Sequence, residues 1–395
     1  MKNHSSRLQV DFFKGSRLRQ FFRNKLFQLL RKVSETDDSR TIWSNTLKGQ
    51  LAWQPEFLLS EWPEHVAPYQ DLGSSPQIIR PALRDDVIII TGRFRSGSTL
   101  LWNLFRNLEG VTAYYEPFNE RRWFDPCTRG DKVDPTHKKV DEYWREYEGL
   151  EVLEEYYCDE WIEKNLYMAA SFWAPKMKQY VEHMIEKAPA RSALQFNRID
   201  FRLPWFRQNF PHATILHIYR HPRDQWCSTL MDPQCFPKDG TMPQFAEHDK
   251  FYLRMWARDL KYHFPFLDED SISHPYQLFY YIWKLSYAFG RAFAHYSVAF
   301  EDLLNDPDRQ LQSLLNISRV QHYDLEKLKL LIEKPTIGKW QAYADDKWFR
   351  QHESHCEMTL AEFFASIAAP ERKPEEWGRE LRIDKINKVS MSKSA

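Results

Sequence analysis

The run Val-Ile-Ile-Ile-Thr-Gly-Arg-Phe-Arg-Ser-Gly-Ser-Thr at 87–99 leaves few folds open to this chain. Val87–Ile90 is an uninterrupted β-branched stretch between Asp85-Asp86 and Gly92, the pattern of a strand buried on both faces of a parallel sheet. Thr91–Ser98 is short, polar and glycine-containing. From Ser98 onward Leu101, Leu104, Phe105 and Leu108 recur at steps of three and four, which predicts a helix. Strand, glycine turn and helix N-terminus together make an anion cradle. Free N–H groups and the positive end of the helix dipole converge there, and glycine lets the backbone come close. The plainer alternative is a Gly/Ser turn joining a core strand to a core helix.

The loop's chemistry narrows the anion. Gly92 and Gly97 keep the Walker A separation and Thr99 fills its Ser/Thr position, yet Ser98 stands where that motif has lysine. The cations come earlier, at Arg93 and Arg95. A guanidinium fork suits a dispersed anion, a phosphate or a sulfuryl group in transfer, and phosphoryl transfer from a Mg-nucleotide is disfavoured.

Composition sets the class. The 395 residues suffice for one large α/β domain or two ordinary ones. Lys+Arg and Asp+Glu both number 55, so no global charge favours nucleic acid. Aromatics reach 15% with 15 Trp, which suits a large core and aromatic-lined clefts. Five cysteines with no CxxC pattern point to neither a disulfide scaffold nor structural zinc, and a reducing compartment is the simplest setting. There is no apolar signal stretch at the start and no run long enough to span a bilayer, so a cytoplasmic protein is expected.

In chain order, residues 1–84 read as a basic amphipathic and wrapping segment. Phe21, Phe22, Leu26, Leu29 and Leu30 alternate with Arg and Lys. Such a face, within residues 1–33, packs on the protein's own body or rests weakly on a membrane surface. Residues 85–365 read as an α/β domain with a P-loop-like central parallel sheet flanked by helices. Two aromatic-rich helical insertions, 121–191 and 241–296, form its substrate side, and 366–395 is a tail. Within the first insertion, Asp141–Tyr157 and Asp159–Lys187 are predicted as helices, with a break at Pro175 allowed. Thr112–Tyr115, Ser192–Phe196, Ala213–Tyr219 and Ser297–Phe300 are predicted strands. Glu116 follows the second strand, on the carboxyl edge where such sheets place ligands. Arg220 ends another, and Ser228 lies about two turns into a helix opening near Pro222. An Arg and a hydroxyl at that junction suit a second phosphate beside the first cradle; taken alone they read as a surface strand-end cation and a neutral helix residue. Glu116 also has a plain role open to it, pairing with Arg121 or Arg122 or capping a turn. Ile337-Gly338-Lys339-Trp340 is a turn that either closes over a nucleotide or is an ordinary loop.

With these elements in view, the chain resembles the sulfotransferases that use 3′-phosphoadenosine 5′-phosphosulfate (PAPS), over 86–120 and 192–305 chiefly. It is closer in style to the carbohydrate and protein-tyrosine enzymes and bacterial relatives than to the phenol and steroid enzymes. Arg95 holds the position of the latter's lysine, and Gln195-Phe196-Asn197-Arg198 lacks their histidine. The resemblance implies that Arg93, Arg95, Ser96, Gly97, Ser98 and Thr99 bind the 5′-phosphosulfate. It implies that Arg220 and Ser228 bind the 3′-phosphate, that Glu116 is the base, and that Lys339 belongs to the closing loop. Leu100 follows Thr99 where the family has an adenine-stacking aromatic, and Trp102 is displaced from that position. The implied reaction is sulfuryl transfer from PAPS to a hydroxyl on a carbohydrate or other metabolite, with PAP as product and no metal. Glu116 takes the proton, and Arg95 with Ser98 and Thr99 meets the leaving charge. The alternatives are a P-loop kinase of a small molecule and a non-catalytic nucleotide-binding protein.

Overall fold

The computed structural model describes Lys25 and residues 86–368, apart from 234, 235, 334 and 336. Residues 86–365 belong to one unit, Glu64–Ala365. The expected wrapping segment 1–84, with its basic helix, and the tail beyond 368 lie outside the described residues.

The chain enters the sheet through β1 (Ile88–Thr91), whose four residues are all buried. The helix α1 (Ser98–Arg106) follows directly and returns the chain to β2 (Val111–Tyr115). Leu101, Trp102, Leu104 and Phe105 of α1 are buried, the face that the three-and-four spacing predicts. Then come α2 (Pro175–Lys187), β3 (Arg191–Phe196), α3 (Leu203–Asn209), β4 (Thr214–Tyr219) and α4 (Pro222–Thr229). The second aromatic block contributes α5 (Leu253–Leu260) and α6 (Pro275–Phe293) before β5 (Tyr296–Ala299). Further helices follow, among them α7 (Phe300–Asn305), α8 (Pro307–Ile317) and α9 (Asp346–Ala368).

The five strands lie in the order β2-β3-β1-β4-β5 and every pairing is parallel. The most apolar strand is thus the central one, as burial on both faces requires. Register then aligns the strand ends. Thr91 sits opposite Phe196 on one side and His217 on the other, and Tyr115 sits opposite Gln195. The segments that follow, at 92–97, 116–120, 197–200 and 220–221, therefore emerge on one edge of the sheet, where open α/β folds place ligands.

The first insertion departs from the helices its spacing predicts. Asp141–Tyr157 holds only 3-10 turns, Arg145–Tyr147 and Glu151–Glu155. Gly149 takes φ +79° between them, which ends a helix. Tyr143 stacks on Tyr115 at 4.4 Å and the Tyr147 hydroxyl donates to Tyr115 O at 2.9 Å, so the turns are pinned to the sheet rather than to one another. In Asp159–Lys187 only α2 is α-helical, with Pro175 as its first residue after a 3-10 turn at Asp159–Ile162. Buried Arg202 donates to Trp161 O and Lys164 O, both at 2.8 Å, and to Asn165 O at 3.0 Å. It thus takes carbonyls that a helix would have used itself. No described helix is long and apolar enough to cross a membrane.

Candidate active site

The loop after β1 is shaped by close contacts. Ser96 N donates to Arg93 O at 3.1 Å. Gln225, buried in α4, donates from Nε2 to Phe94 O at 2.8 Å. Gly97 takes φ +97°, and a Cβ there would lie 2.3 Å from the Phe300 ring, so both conformation and space demand glycine. The opening N–H groups of α1 have no intrahelical acceptor. The Ser96 hydroxyl is buried without a partner. These are the features of an anion cradle.

The structure brings three of the expected residues, Arg95, Arg220 and Ser228, together. Arg95 Nε donates to Ser228 Oγ at 3.0 Å, and Arg220 Nη1 lies 3.5 Å from Arg95 O. The Arg220 guanidinium rests 5.0 Å from the Phe300 ring centroid, with its Nε buried and unpartnered. Burial, and then the Arg95 charge, lower its pKa, so two guanidinium groups share one region. Arg95 itself has φ +66°, an uncommon conformation for a residue with a side chain. The two anion seats expected from sequence are therefore joined by Arg95. Its backbone lies in the loop and its side chain reaches Ser228.

Lys339 is carried beside this region. Asp224 of α4 accepts from Gly338 N at 2.9 Å and Trp340 N at 3.4 Å. Arg223 lies 4.8 Å from the Trp340 ring centroid. Lys339 is exposed, and its charge acts on the Cys227 thiol next to Ser228. Arg93 is placed otherwise. Its guanidinium is buried 4.4 Å from the Trp256 ring centroid, and Asp200 and Asp249 are the carboxylates that act on it. Trp102 is fully buried and donates to Ala113 O at 2.9 Å, which makes it core and removes it from any nucleotide-facing surface.

Glu116 sits at the end of β2 with φ +38° and is buried. Strain of this kind in a residue with a side chain persists only where the surroundings impose it. Its Oε1 accepts from Asn197 Nδ2. Its Oε2 accepts from Asn119 Nδ2 at 2.7 Å and Arg198 Nη1 at 3.0 Å. Arg198 also holds Glu120 at 2.6 Å, and Tyr252 donates to Glu120 at 2.6 Å. Ser98 Oγ donates to Asn197 Oδ1 at 2.9 Å. A hydrogen-bonded line thus runs from the first residue of α1 through Asn197 to Glu116. The partnership with Arg121 or Arg122 left open by sequence is not formed: Arg121 donates to Lys132 O and Arg122 to Asp159.

Several site residues have no role in the reading of the sequence. Asn197 and Arg198 close the line to Glu116. His137, from the first insertion, meets Thr99 Oγ1 at 3.3 Å and Tyr143 OH at 2.6 Å. Burial lowers its pKa to about 4. Thr136 and Asp134 accept from Arg95 Nη1 at 3.1 and 3.4 Å. Tyr115 lies between Thr99 and Glu116, and burial, with the Glu116 charge, raises its pKa well above the usual phenol value. The Asn-Arg pair at a predicted strand end was the one available cue.

No curated protein matches this chain. The sulfotransferase domain of the olefin synthase from Synechococcus PCC 7002 is similar in structure. The likeness has 17% identity over 71% of this chain and 94% of that domain, with a TM-score of 0.30. That likeness is too loose to carry an argument. A protein-family model described as "Sulfotransferase family" matches residues 87–324, from the start of β1 to past α8. That span exceeds half the chain, and the chain belongs to the sulfotransferase family.

Proposed function

We propose that this protein transfers the sulfuryl group of PAPS to a hydroxyl of a carbohydrate or another hydroxylated metabolite, with Glu116 as general base. The observation that carries this reading is the line Ser98–Asn197–Glu116, which ties a strained, buried carboxylate to the first turn of the anion cradle. A carboxylate so placed takes the proton of a hydroxyl brought to the cradle. Bound PAPS would supply the electrophilic sulfuryl group.

The donor fits the unpartnered buried groups of the site. Arg220 Nε and Ser96 Oγ are buried donors lacking an acceptor, and unpaired buried donors are costly unless a ligand satisfies them. Ser96, Gly97, Ser98 and Thr99 with the loop N–H groups suit the 5′-phosphosulfate. Arg220 and Ser228 suit the 3′-phosphate, with Lys339 closing from its loop. Arg95, which spans both seats, stabilises charge on the departing 5′-phosphate oxygen. Arg93 contributes the turn that shapes the loop. Fixed cations and amide dipoles meet the charge, so the reading calls for no metal.

Calorimetric titration with PAP and with Mg-ATP tests the donor, and incubation with radiolabelled PAPS and a cell extract tests the transfer. PAP binding tighter than ATP, with label in a hydroxyl product, is expected. ATP preferred over PAP would overturn the reading in favour of a kinase. PAP binding without any labelled product would leave a nucleotide-binding protein.

A further inference from the structure

Arg93 was grouped with the donor loop by sequence, yet its guanidinium lies apart from Arg95, Arg220 and Ser228. We propose that Arg93 forms the floor of an oxyanion subsite for the acceptor, so that the acceptor is a hydroxylated acid. Such a molecule carries a carboxylate, sulfate or phosphate besides the hydroxyl that receives the sulfuryl group. The inference rests on Glu116 as the base, and it names the class of acceptor for that site.

The first ground is a buried guanidinium nitrogen without a hydrogen-bond partner. Arg93 is 6% exposed, and its Nη1 is buried with no hydrogen-bond partner. Burial lowers its pKa only to about 10, so the group is cationic at neutral pH. A buried cation without a hydrogen-bonded anion is costly. Asp200 and Asp249 act on its charge, but their hydrogen bonds run to other groups. Asp200 accepts from Thr91 Oγ1 at 3.0 Å and Ser286 Oγ at 2.9 Å. Asp249 accepts from Leu253 N at 2.8 Å and Arg254 N at 2.9 Å, which opens α5.

The second ground is the cleft that Arg93 lines. Phe94, His248, Asp249, Lys250 and Phe251 line it too, giving a second cation beside one carboxylate, and the Phe94 and Phe251 rings pack on each other with centroids 5.4 Å apart. Its place relative to the base is the third ground. Phe94 lines the cleft, and its ring also lies 5.0 Å from the Arg198 guanidinium that holds Glu116. The cleft and Glu116 are thus linked through Phe94 and Arg198, which places a hydroxyl at Glu116 and an oxyanion at Arg93 in one neighbourhood. A planar guanidinium binds an oxyanion with two parallel hydrogen bonds, a geometry a lysine cannot offer.

The test titrates sodium sulfate, and separately sodium acetate, into PAP-saturated protein at constant ionic strength, read by calorimetry. Wild type, Arg93→Met and Lys250→Ala are compared. Sulfate affinity is expected to fall about tenfold or more in Arg93→Met and roughly threefold in Lys250→Ala, while PAP affinity stays within about twofold. The stronger of the two anions marks whether the acceptor's acid resembles a sulfate or a carboxylate. Absence of sulfate binding in wild type, unchanged sulfate affinity in Arg93→Met, or a tenfold loss of PAP affinity there overturns the proposal. Should Arg93→Met fail to fold, the exposed Lys250 decides: unchanged sulfate affinity in Lys250→Ala overturns it. If wild type does not bind PAP at all, the donor reading fails, and the same sulfate series on the ligand-free protein still tests Arg93.

Discussion

Glu116→Gln keeps the volume of the side chain and removes its ability to take a proton. Asn197 is locked in orientation, because its Oδ1 already accepts from Ser98 Oγ at 2.9 Å and Gln195 Nε2 at 2.7 Å. The glutamine oxygen must therefore face Asn197, and its amide nitrogen must face Asn119 and Arg198, both donors. A buried donor set against donors costs about 1–3 kcal/mol. Arg198 keeps Glu120 at 2.6 Å, which holds the loss toward the lower end and leaves the protein folded. Removal of a general base slows turnover by about 10²–10⁴, equivalent to roughly 3–5 kcal/mol at the barrier. Glu116 touches none of Arg95, Arg220 or Ser228, so PAP affinity is expected to hold within about threefold. Initial rates of label transfer from PAPS, calorimetry with PAP and a urea melt read the three quantities. A folded variant that binds PAP normally and turns over within about fivefold of wild type would remove Glu116 from the reaction.

Arg220→Ala is expected to weaken PAP by about 10–100-fold, since a hydrogen bond to a charged group contributes about 1.5–3 kcal/mol. Adenosine 5′-monophosphate, which lacks the 3′-phosphate, should lose far less, and equal losses measured by calorimetry would refute the 3′-phosphate assignment. His137 supplies a pH test. Burial lowers its folded pKa to about 4, below the unfolded value of about 6.5. Between those values the unfolded chain binds a proton that the folded protein refuses, so stability falls as pH falls through that window. At about pH 5 this group makes the protein roughly 2 kcal/mol less stable than at about pH 7. Urea midpoints at both pH values should show that much less pH dependence in His137→Gln. His217 and His274, both lowered to about 3 by burial, leave a residual dependence of the same sign in the variant. Identical pH dependence in the two proteins would show that His137 is not held neutral.

Local pattern was a sound guide wherever the physics is local. The β-branched run at Val87–Ile90, the glycine turn and the three-and-four spacing from Ser98 describe β1, the loop and α1 closely, because pleat and helix periods are written into neighbouring residues. The same logic placed Glu116 and Arg220 at strand ends. It misread Asp141–Tyr157 and most of Asp159–Lys187, where aromatic spacing matches a helix but Gly149 breaks the run. There Arg202, about forty residues away, claims the carbonyls.

What the sequence by itself determined is the strand, the glycine turn, the helix and the residue types at the sheet's carboxyl edge. Only the tertiary structure decided which of those side chains meet. Arg95 finds Ser228 across 133 residues and Ser98 finds Asn197 across 99, while Arg93, two residues from Arg95, turns to Trp256 instead. Adjacent side chains on an irregular loop point where backbone angles send them, and distant ones meet where strand order and register bring them. Neither is a property of any short stretch of sequence.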